Sequence, residues 1–522
     1  MKHLRMQLVL ITLIILFLAG FSGTTKILAE GPSPVITDPA ALFDGLEIAH
    51  APKQIGNHNP ILPHRFGADP YALVYGDRVY VYSTNDAVIQ DGQGNVLENN
   101  YGMIRSINRV SSADLVNWTD HGWIEVGSPL RGAARKWATN SWAPAAIYKN
   151  IDGEDRFFLY FANNASGIGV LTSDSPLGPF VDPLGKPLVS RQVPNADVMW
   201  LFDPAVVIDD AGQGYLYFGG GVPDGQGEMP NTGRVVQLGD DMISLSGTPE
   251  EIGAPWFFEA AFVHKIDDTF YYSYSTNFDS RANAKGDILT DAGEIVYLTS
   301  KNPMGPWEYQ GSILKNPGVF FGSGGNNHHS LAKFHDQWYI FYHSQVLQDA
   351  MNIGGGYRST HVDLVTIGED GLIRPAIGTR KGVEQLRALD PYQINEAETM
   401  AWGAKIAIKP TTEPSALFGE INTVVTDMVD GSFIGISKVD FGTDGARQFT
   451  AKLASTKDLN AIKITTDKPE NEAFGYLVVP NTGSLNDFVE VTVSLDKPIT
   501  GEQDLFFVFA GEGFAFDAWR FH

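Results

Sequence analysis

Five segments of the chain repeat one pattern, and this repeat constrains the fold more than any other feature. Each begins with a polar, acidic or aromatic residue, continues into an alternating strand, and turns into a second strand rich in aromatic residues. Turns such as Gly76-Asp77 and Asp152-Gly153 between the two strands are typical of β-hairpins. Successive starts lie 73, 61, 56 and 69 residues apart. The five segments begin at Asp69, Trp142, Asp203, Glu259 and His328.

A third strand also recurs, because the phrase beginning at Gly169 (GVLTSDSPLGPF) is nearly repeated from Val296 (VYLTSKNPMGPW). Strand repeats of about 40–50 residues or more indicate a β-propeller. Inserted loops, such as residues 86–100 and 221–233, lengthen the repeat. We therefore predict an all-β chain whose first domain is a five-bladed β-propeller. A β-sandwich with fortuitous internal similarity is the alternative.

Composition excludes several other classes of protein. The 522 residues suggest two to four domains. The formal net charge of −24 and the lack of a basic stripe argue against a nucleic-acid partner. With 43% apolar residues the chain can build large cores, and with no cysteine it has no disulfide or thiolate site. The expected partner is a neutral polysaccharide, and we expect a monomer.

The first 29 residues resemble a secretory signal peptide. A basic start at residues 1–5 precedes an apolar run from Leu8 to Phe21, followed by small and polar residues up to Ala29. We predict cleavage near Ala29, which would release a soluble, secreted protein of bacterial origin. A retained N-terminal membrane anchor is the alternative.

The pattern changes after Leu389, where Asp390-Pro391 marks a boundary. Short alternating strands then follow to the end of the chain, which predicts a β-sandwich of jelly-roll type. We therefore predict a catalytic propeller over residues 30–390 and a sandwich module over residues 391–522. The six predicted strands of the module cover residues 434–441, 447–454, 461–466, 488–495, 503–510 and 515–521.

The starts of the five segments are candidate functional positions. In a propeller the innermost strand of every blade opens onto a central funnel, so Asp69, Asp203 and Glu259 should converge. Carboxylates at short range raise one another's pKa, which yields an ionised base and a protonated acid at neutral pH. This pair is what hydrolysis of a glycosidic bond requires. The alternative is that Asp69-Pro70 and Asp203-Pro204 only initiate turns.

Several motifs in order resemble glycoside hydrolase family 43, and in particular its bacterial arabinoxylan arabinofuranohydrolases. The resemblance covers nearly the whole chain after the signal. It implies a five-bladed propeller that removes single L-arabinofuranose branches from xylan with inversion of configuration. The motifs begin at Gly67 (GADPYALVYGDRVYVY), Lys136 (KWATNSWAPA), Trp200 (WLFDPAVV), Phe257 (FFEAAFVHK), Gly324 (GNNHHSLAKF) and Gly356 (GYRSTHV).

The resemblance also implies roles for the carboxylates. Asp69 matches the general base that activates water, and Glu259 matches the general acid that protonates the departing oxygen. Asp203 matches the third carboxylate, which tunes and orients the acid. Inversion requires about 6.5–9.5 Å between acid and base to seat the water.

Other funnel residues follow from the same resemblance. Trp142 and Trp200 would wall the sugar pocket, and Arg358 would hydrogen-bond to sugar hydroxyl groups. His328 matches a histidine that helps to hold a central Ca²⁺ or other ion, mostly through water. The alternative for Arg358 is a surface arginine with a packing role. The alternative for His328 is a core histidine with satisfied hydrogen bonds, and a hard cation also prefers oxygen ligands.

The tail resembles a family 6 carbohydrate-binding module. Its two ends match those that bind a structural Ca²⁺, so Glu396, Glu398 and Asp517 are the implied ligands; an empty site is the alternative. Phe433 stands where relatives often carry a tryptophan, which leaves Trp402 as the candidate for a sugar-binding cleft. A purely structural sandwich is the rival interpretation.

One departure from the family pattern affects the substrate. Where close arabinofuranohydrolases continue the acid's motif with an acidic and polar pair, this chain has Ala260-Ala261 after Glu259. Xylosidase-like members share Glu-Ala, so β-xylosidase and arabinanase activities are the alternatives. A polysaccharide-binding propeller without catalysis is an alternative of another class.

Overall fold

The computed structural model describes residues 38–127 and 137–522. The predicted signal peptide, residues 1–29, lies outside this range. The described chain is built almost entirely of antiparallel β-sheets, as predicted. Its short helices are 3₁₀ turns at Pro39–Phe43, Tyr101–Met103 and Arg281–Asn283, α1 (Pro317–Phe321) and α2 (Val346–Ala350).

The first part of the chain forms successive four-stranded antiparallel sheets. Sheet one contains β1 (Ala68–Tyr75), β2 (Arg78–Thr84), β3 (Ser106–Ser112) and β4 (Trp118–Glu125). Sheet two contains β5 (Trp142–Ile151), β6 (Glu154–Ala162), β7 (Gly167–Ser173) and β8 (Val189–Ser190). Sheet three contains β9 (Ala205–Ile208), β10 (Gly214–Phe218), β11 (Gly233–Gln237) and β12 (Glu250–Ile252).

Two further sheets complete the repeat. Sheet four contains β13 (Phe257–Ile266), β14 (Thr269–Thr276), β15 (Ile295–Ser300) and β16 (Glu308–Leu314). Sheet five contains β17 (His329–Phe334), β18 (Gln337–Ser344), β19 (Ser359–Ile367) and β20 (Ile373–Arg374). The predicted turns at Gly76-Asp77 and Asp152-Gly153 each join the first two strands of a sheet.

The first strands of the five sheets contact one another in the order β1, β5, β9, β13 and β17, and β17 contacts β1. Each sheet buries alternating apolar and aromatic side chains against its neighbours, with Tyr160, Tyr217 and Tyr272 among the fully buried residues. These large rings fill the space between adjacent sheets. This packing agrees with the sequence, in which the second strand of each segment is rich in aromatic residues.

The tail folds into two facing sheets around its own apolar core. One sheet has the order β24-β25-β32-β27-β30, with β21 paired to β32, and the other has the order β23-β26-β31-β28-β29. The strands are β21 (Asn395–Glu396), β22 (Thr399–Met400), β23 (Trp402–Ala404), β24 (Ala407–Pro410), β25 (Thr423–Thr426), β26 (Phe433–Asp440), β27 (Ala446–Ser455), β28 (Asn460–Thr466), β29 (Gly475–Val479), β30 (Ser484–Ile499), β31 (Glu502–Ala510) and β32 (Phe514–Phe521).

The tail is joined to the first part by main-chain pairing. Strand β22 extends sheet one, because Thr399 and Met400 pair with Thr119 and Trp118 of β4. Asn117 exchanges two hydrogen bonds with the backbone of Ser437, of 3.0 and 2.8 Å. The two parts therefore share a sheet and a buried polar contact. Within residues 38–127 and 137–522, no helix is long and apolar enough to cross a membrane.

Candidate active site

Left-handed residues mark the start of four of the five first strands. Asp69, Ala143, Asp203 and Ala260 have φ values of 51°, 40°, 48° and 65°. In β1, β5 and β13 the pairing register shifts at this position, which is the behaviour of a β-bulge. A bulge re-aims side chains at a strand end, at a conformational cost that is common at functional sites.

This geometry shows that the strand starts compared in the sequence are not all equivalent positions. Asp69 and Asp203 occupy the left-handed position itself, whereas Trp142 and Glu259 come one residue earlier. The functional side chain at a strand start is therefore either the left-handed residue itself or the residue before it. Both kinds direct their side chains into one space.

That space is a pocket of about 330 Å³. All seven funnel residues named from the sequence line it: Asp69, Trp142, Trp200, Asp203, Glu259, His328 and Arg358. Its other lining residues are Tyr101, Ile104, Asn164, Ala165, Phe202 and Asn326. The pocket combines aromatic walls with a few converging charged groups, as small-ligand sites commonly do.

Asp69 is held in its ionised form. Its Oδ1 accepts a hydrogen bond of 3.0 Å from Nη1 of Arg358, and its Oδ2 accepts one of 2.7 Å from the hydroxyl group of Thr84. Burial alone would raise the pKa of Asp69, but Arg358, together with His343 and His328, holds it well below its usual range. The carboxylate is therefore available as a base.

Glu259 has the opposite tendency. Burial and the neighbouring charge of Asp69 raise the pKa of Glu259 to about 8, against an opposing hydrogen bond from Asn326. Its Oε1 is buried and has no hydrogen-bond partner among the described residues. At neutral pH Glu259 is therefore protonated and can donate its proton.

Asp203 interacts electrostatically with both Asp69 and Glu259. Its Oδ2 accepts a hydrogen bond of 2.9 Å from the backbone N–H of Ala260, the residue after Glu259. Burial, followed by the charges of Glu259 and Asp69, raises the pKa of Asp203 well above its usual range. This contact ties the backbone next to Glu259 to a second carboxyl group.

Arg358 is a buried member of this network, with only 4% of its surface exposed. Its Nε and Nη2 donate to the two carboxylate oxygens of Asp86 at 2.8 and 2.9 Å, while Nη1 reaches Asp69. The ring of Tyr101 lies 4.7 Å from the guanidinium carbon. Four of its interactions are thus with protein groups, so holding Asp69 is its evident structural task.

The aromatic walls have separate supports. Trp142 donates a hydrogen bond of 2.9 Å from Nε1 to the carbonyl oxygen of Tyr101, and the two rings meet edge to face. Trp200 contacts Phe202 and Phe258 at centroid distances of 5.4 and 5.2 Å. Both indoles remain partly exposed to the pocket, as a surface for stacking on a sugar requires.

His328 lies against two of the carboxylates. Its Nδ1 is 3.5 Å from Oδ1 of Asp69 and 3.8 Å from Oδ2 of Asp203. Burial lowers its pKa to about 4, so the ring is neutral at pH 7 and can act as a ligand. In the described part of the chain, no three His, Asp or Glu side chains are arranged to hold a metal ion.

The three residues predicted to bind calcium in the tail, Glu396, Glu398 and Asp517, lie near one another. Among the described residues, however, no three such side chains are arranged to hold a metal ion, so this site stays a prediction. Glu396 in β21 pairs with Ala518 of β32, next to Asp517. Glu396 and Glu398 each have one buried carboxylate oxygen without a hydrogen-bond partner in the described residues, which suits a hard cation. Asp517 fits less well, because it already contacts Lys452 and Asn422 at 2.8 and 2.7 Å.

Trp402 corrects one sequence expectation. It is only 1% exposed, packs against Phe506 at 5.8 Å, and donates from Nε1 to the carbonyl oxygen of Asn57 at 2.9 Å. Phe433 is equally buried. Trp402 is therefore not available for a sugar-binding cleft, because it packs where the segment before β1 meets the tail.

Sequence analysis missed several polar residues around the site. Thr84 is the last residue of β2, and Asp86 lies just beyond it. His343 lies near the end of β18, and Asn326 precedes β17. Their common signal is a polar side chain placed directly at the end of an aromatic strand or before a strand start. That signal is weak in isolation, since such positions also favour ordinary turn residues.

The arrangement can perform acid–base chemistry. A carboxylate held ionised and a carboxylic acid held protonated share one pocket walled by two indoles. Such a pair defines the class of hydrolases that cleave glycosidic bonds with a general acid and a base or nucleophile.

Comparison with known proteins specifies the family. Residues 57–373 match the model for "Glycosyl hydrolases family 43", and residues 396–522 match that for "Carbohydrate binding module (family 6)". The chain belongs to glycosyl hydrolase family 43 and carries a family 6 module at its C-terminal end. The family assignment agrees with a propeller followed by a sandwich.

Individual relatives are similar over most of the chain. An arabinoxylan arabinofuranohydrolase from Paenibacillus polymyxa is 44% identical over 480 residues, covering 89% of this chain and 74% of that protein. One from Bacillus subtilis is 45% identical over 487 residues, covering 90% and 93%. A crystal structure of the Bacillus subtilis family 43 arabinoxylan arabinofuranohydrolase, in complex with cellotetraose, has a TM-score of 0.86 and 44% identity, covering 91% of this chain and 99% of that one.

Proposed function

We propose that this protein is an arabinoxylan arabinofuranohydrolase that releases α-L-arabinofuranosyl branches from the xylan backbone. The observation that carries the proposal is the opposed protonation of Asp69 and Glu259 in one pocket. The names of the relatives, which span most of the chain, supply the substrate class.

In this proposal the reaction is a single displacement. Asp69 takes a proton from a water molecule, which attacks the anomeric carbon, while Glu259 donates its proton to the xylan oxygen that leaves. Asp203 accepts a hydrogen bond from the backbone N–H of Ala260 and so positions the backbone next to Glu259. Trp142 and Trp200 stack on the sugar, and Arg358 keeps Asp69 ionised. The product is L-arabinose of inverted configuration.

The finer architecture is also part of the proposal. The five sheets would be the blades of one closed propeller, with the pocket at one mouth of its funnel. The ring of contacts among the first strands supports this arrangement. A funnel closed around the pocket would restrict entry to a single branching sugar, which matches removal of side chains.

Calcium and secretion are proposed on narrower grounds. The unpartnered oxygens of Glu396 and Glu398 support a cation in the tail, and neutral His328 supports one in the funnel. The apolar run in residues 8–21 supports export with removal of residues 1–29. N-terminal sequencing of protein from the culture medium tests the second point.

The sugar released from wheat arabinoxylan tests the main proposal. We expect free arabinose and an intact xylan backbone, with proton NMR showing the inverted anomer first. Release of xylose from xylo-oligosaccharides alone would support a β-xylosidase instead, and products from linear arabinan alone would support an arabinanase. If none of the three substrates yields a product, the protein binds polysaccharide without cleaving it.

A further inference from the structure

Asp86 is a fully buried carboxylate that lies two residues beyond β2, and it is not among the residues that line the pocket. Within the described part of the chain, every hydrogen bond to its carboxylate comes from Arg358. Nε donates at 2.8 Å, Nη2 at 2.9 Å and the backbone N–H at 3.1 Å. Burying a charged carboxylate costs free energy of desolvation, and a single ionic partner offsets that cost only when the geometry of the pair is good.

This contact determines where the remaining donor of Arg358 points. A guanidinium group is planar, so two bonds to Asp86 fix both the plane and the direction of Nη1. Nη1 is the atom that meets Asp69 at 3.0 Å. Tyr101 covers one face of the group at 4.7 Å and limits its rotation further.

We propose that Asp86 is a positioning residue of the active site that acts on Asp69 and Glu259 through Arg358. It aims Nη1 at Asp69, and it shares the positive charge of Arg358 between two carboxylates. This inference rests on the proposed function, because it assigns Asp69 and Glu259 to base and acid.

The sharing of charge has a consequence for the acid. Asp69, Arg358 and Asp86 together carry one negative charge, which favours the protonated form of nearby Glu259. The other titratable groups that face Glu259 in the pocket are Asp203, the phenol of Tyr101 and the neutral ring of His328. Removing the charge of Asp86 would make the three-residue group neutral, so Glu259 would lose its proton more easily.

A purely structural role makes a different prediction. If Asp86 only provides a partner for a buried arginine, its loss lowers stability and the amount of folded enzyme. The pH dependence of the activity of the folded enzyme would then be unchanged. The position of the alkaline limb of the pH profile therefore separates the two roles.

The experiment compares Asp86→Asn and Asp86→Glu with the wild-type enzyme on arabinoxylan, measuring kcat, KM and the pH profile of folded protein. For Asp86→Asn we expect kcat about 10- to 100-fold lower and an alkaline limb shifted down by roughly half a unit to one unit. For Asp86→Glu, which keeps the charge but displaces Arg358, we expect a lower kcat and an unmoved limb.

Asp363→Asn is the matched control, because Asp363 is a buried carboxylate held by Asn59, Tyr342 and Thr379 outside the pocket. It should lower stability and leave kcat and the pH profile unchanged. An alkaline limb at the wild-type pH in folded Asp86→Asn would overturn the inference, whatever its kcat. If that variant does not fold, a wild-type kcat in Asp86→Glu would overturn it equally.

The wild-type enzyme separates this inference from the proposed function. If it releases no arabinose from arabinoxylan, the proposed function fails before any variant is compared. If it releases arabinose and the Asp86 variants behave as wild type, only the positioning role fails.

Discussion

The hydroxyl group of Thr84 donates a hydrogen bond of 2.7 Å to Oδ2 of Asp69. The same hydroxyl oxygen accepts a hydrogen bond of 2.8 Å from the backbone N–H of Ala143. Because an ionised carboxylate can only accept, the hydroxyl proton points towards Asp69 while the hydroxyl oxygen accepts from Ala143. A bulge in sheet two thus helps to keep a carboxylate of sheet one ionised.

Replacement of Thr84 should therefore weaken the base. Thr84→Val keeps the shape but removes the donor and leaves the Ala143 N–H unpaired, so we expect kcat/KM to fall about tenfold. The acid limb of the pH profile should move to higher pH, since the pKa of Asp69 rises. Thr84→Ser retains the hydroxyl group and is the control. Equal pH profiles for the valine and serine variants would contradict this account.

Glu259→Gln should reveal the acid through the leaving group. A xylan oxygen needs a proton to depart, so we expect activity on arabinoxylan to fall by several orders of magnitude. An aryl arabinofuranoside with a good leaving group needs that proton much less and should lose far less activity. Steady-state rates on both substrates measure the difference. Similar losses on the two would show that Glu259 does not act as the general acid.

The same substitution should stabilise the protein. The pKa of Glu259 is raised on folding, so its favourable contribution is complete below the unfolded pKa, near 4.5, and disappears as the pH rises towards 8. At pH 7 the wild-type enzyme bears this penalty and Glu259→Gln does not. We expect the variant to gain on the order of 2 kcal/mol in free energy of unfolding at pH 7 and almost nothing at pH 4. Urea denaturation at the two pH values is the test, and a gain that does not depend on pH would refute it.

Trp402 should matter for stability and not for binding. Truncation of this buried indole in Trp402→Ala should lower the free energy of unfolding by about 3–5 kcal/mol. Val489→Ala, at a 40% exposed position in the same module, is the control and should change little. Affinity electrophoresis in xylan measures binding. Loss of retention by Trp402→Ala at unchanged stability would mean that this side chain contacts sugar after all.

Calcium should act through Glu398. Burial, followed by the charge of Glu396, raises the pKa of Glu398 well above its usual range, so these carboxyl groups need either a proton or a cation. We expect Ca²⁺ to raise the melting temperature of the wild-type protein and chelation to reverse it. Glu398→Gln should lose this response, while Glu420→Gln, at an exposed position, should keep it. An equal calcium effect in all three proteins would place the ion elsewhere.

Much of the fold was predictable because its signals are local. The turns at Gly76-Asp77 and Asp152-Gly153 are where the sequence placed them, and the predicted tail strand 434–441 is observed as Phe433–Asp440. Hairpin turns and alternation depend on neighbouring residues, so short windows of sequence reveal them. Strand β22 was missed because it pairs with β4, which is far away in the sequence. Strands β21, β23, β24, β25 and β29 were missed because each spans only two to five residues, too few for alternation to show.

The site divides in the same way. From the sequence alone, repeated strand starts and family motifs identified every carboxylate and indole that lines the pocket. Only the tertiary structure showed that Arg358 faces Asp86 across 272 residues of chain, or that Trp402 is buried against Asn57. Protonation is also a tertiary property, because Asp69 and Glu259 differ in their buried neighbours. The sequence by itself determined which groups are present, and the folded chain decided their charge and their partners.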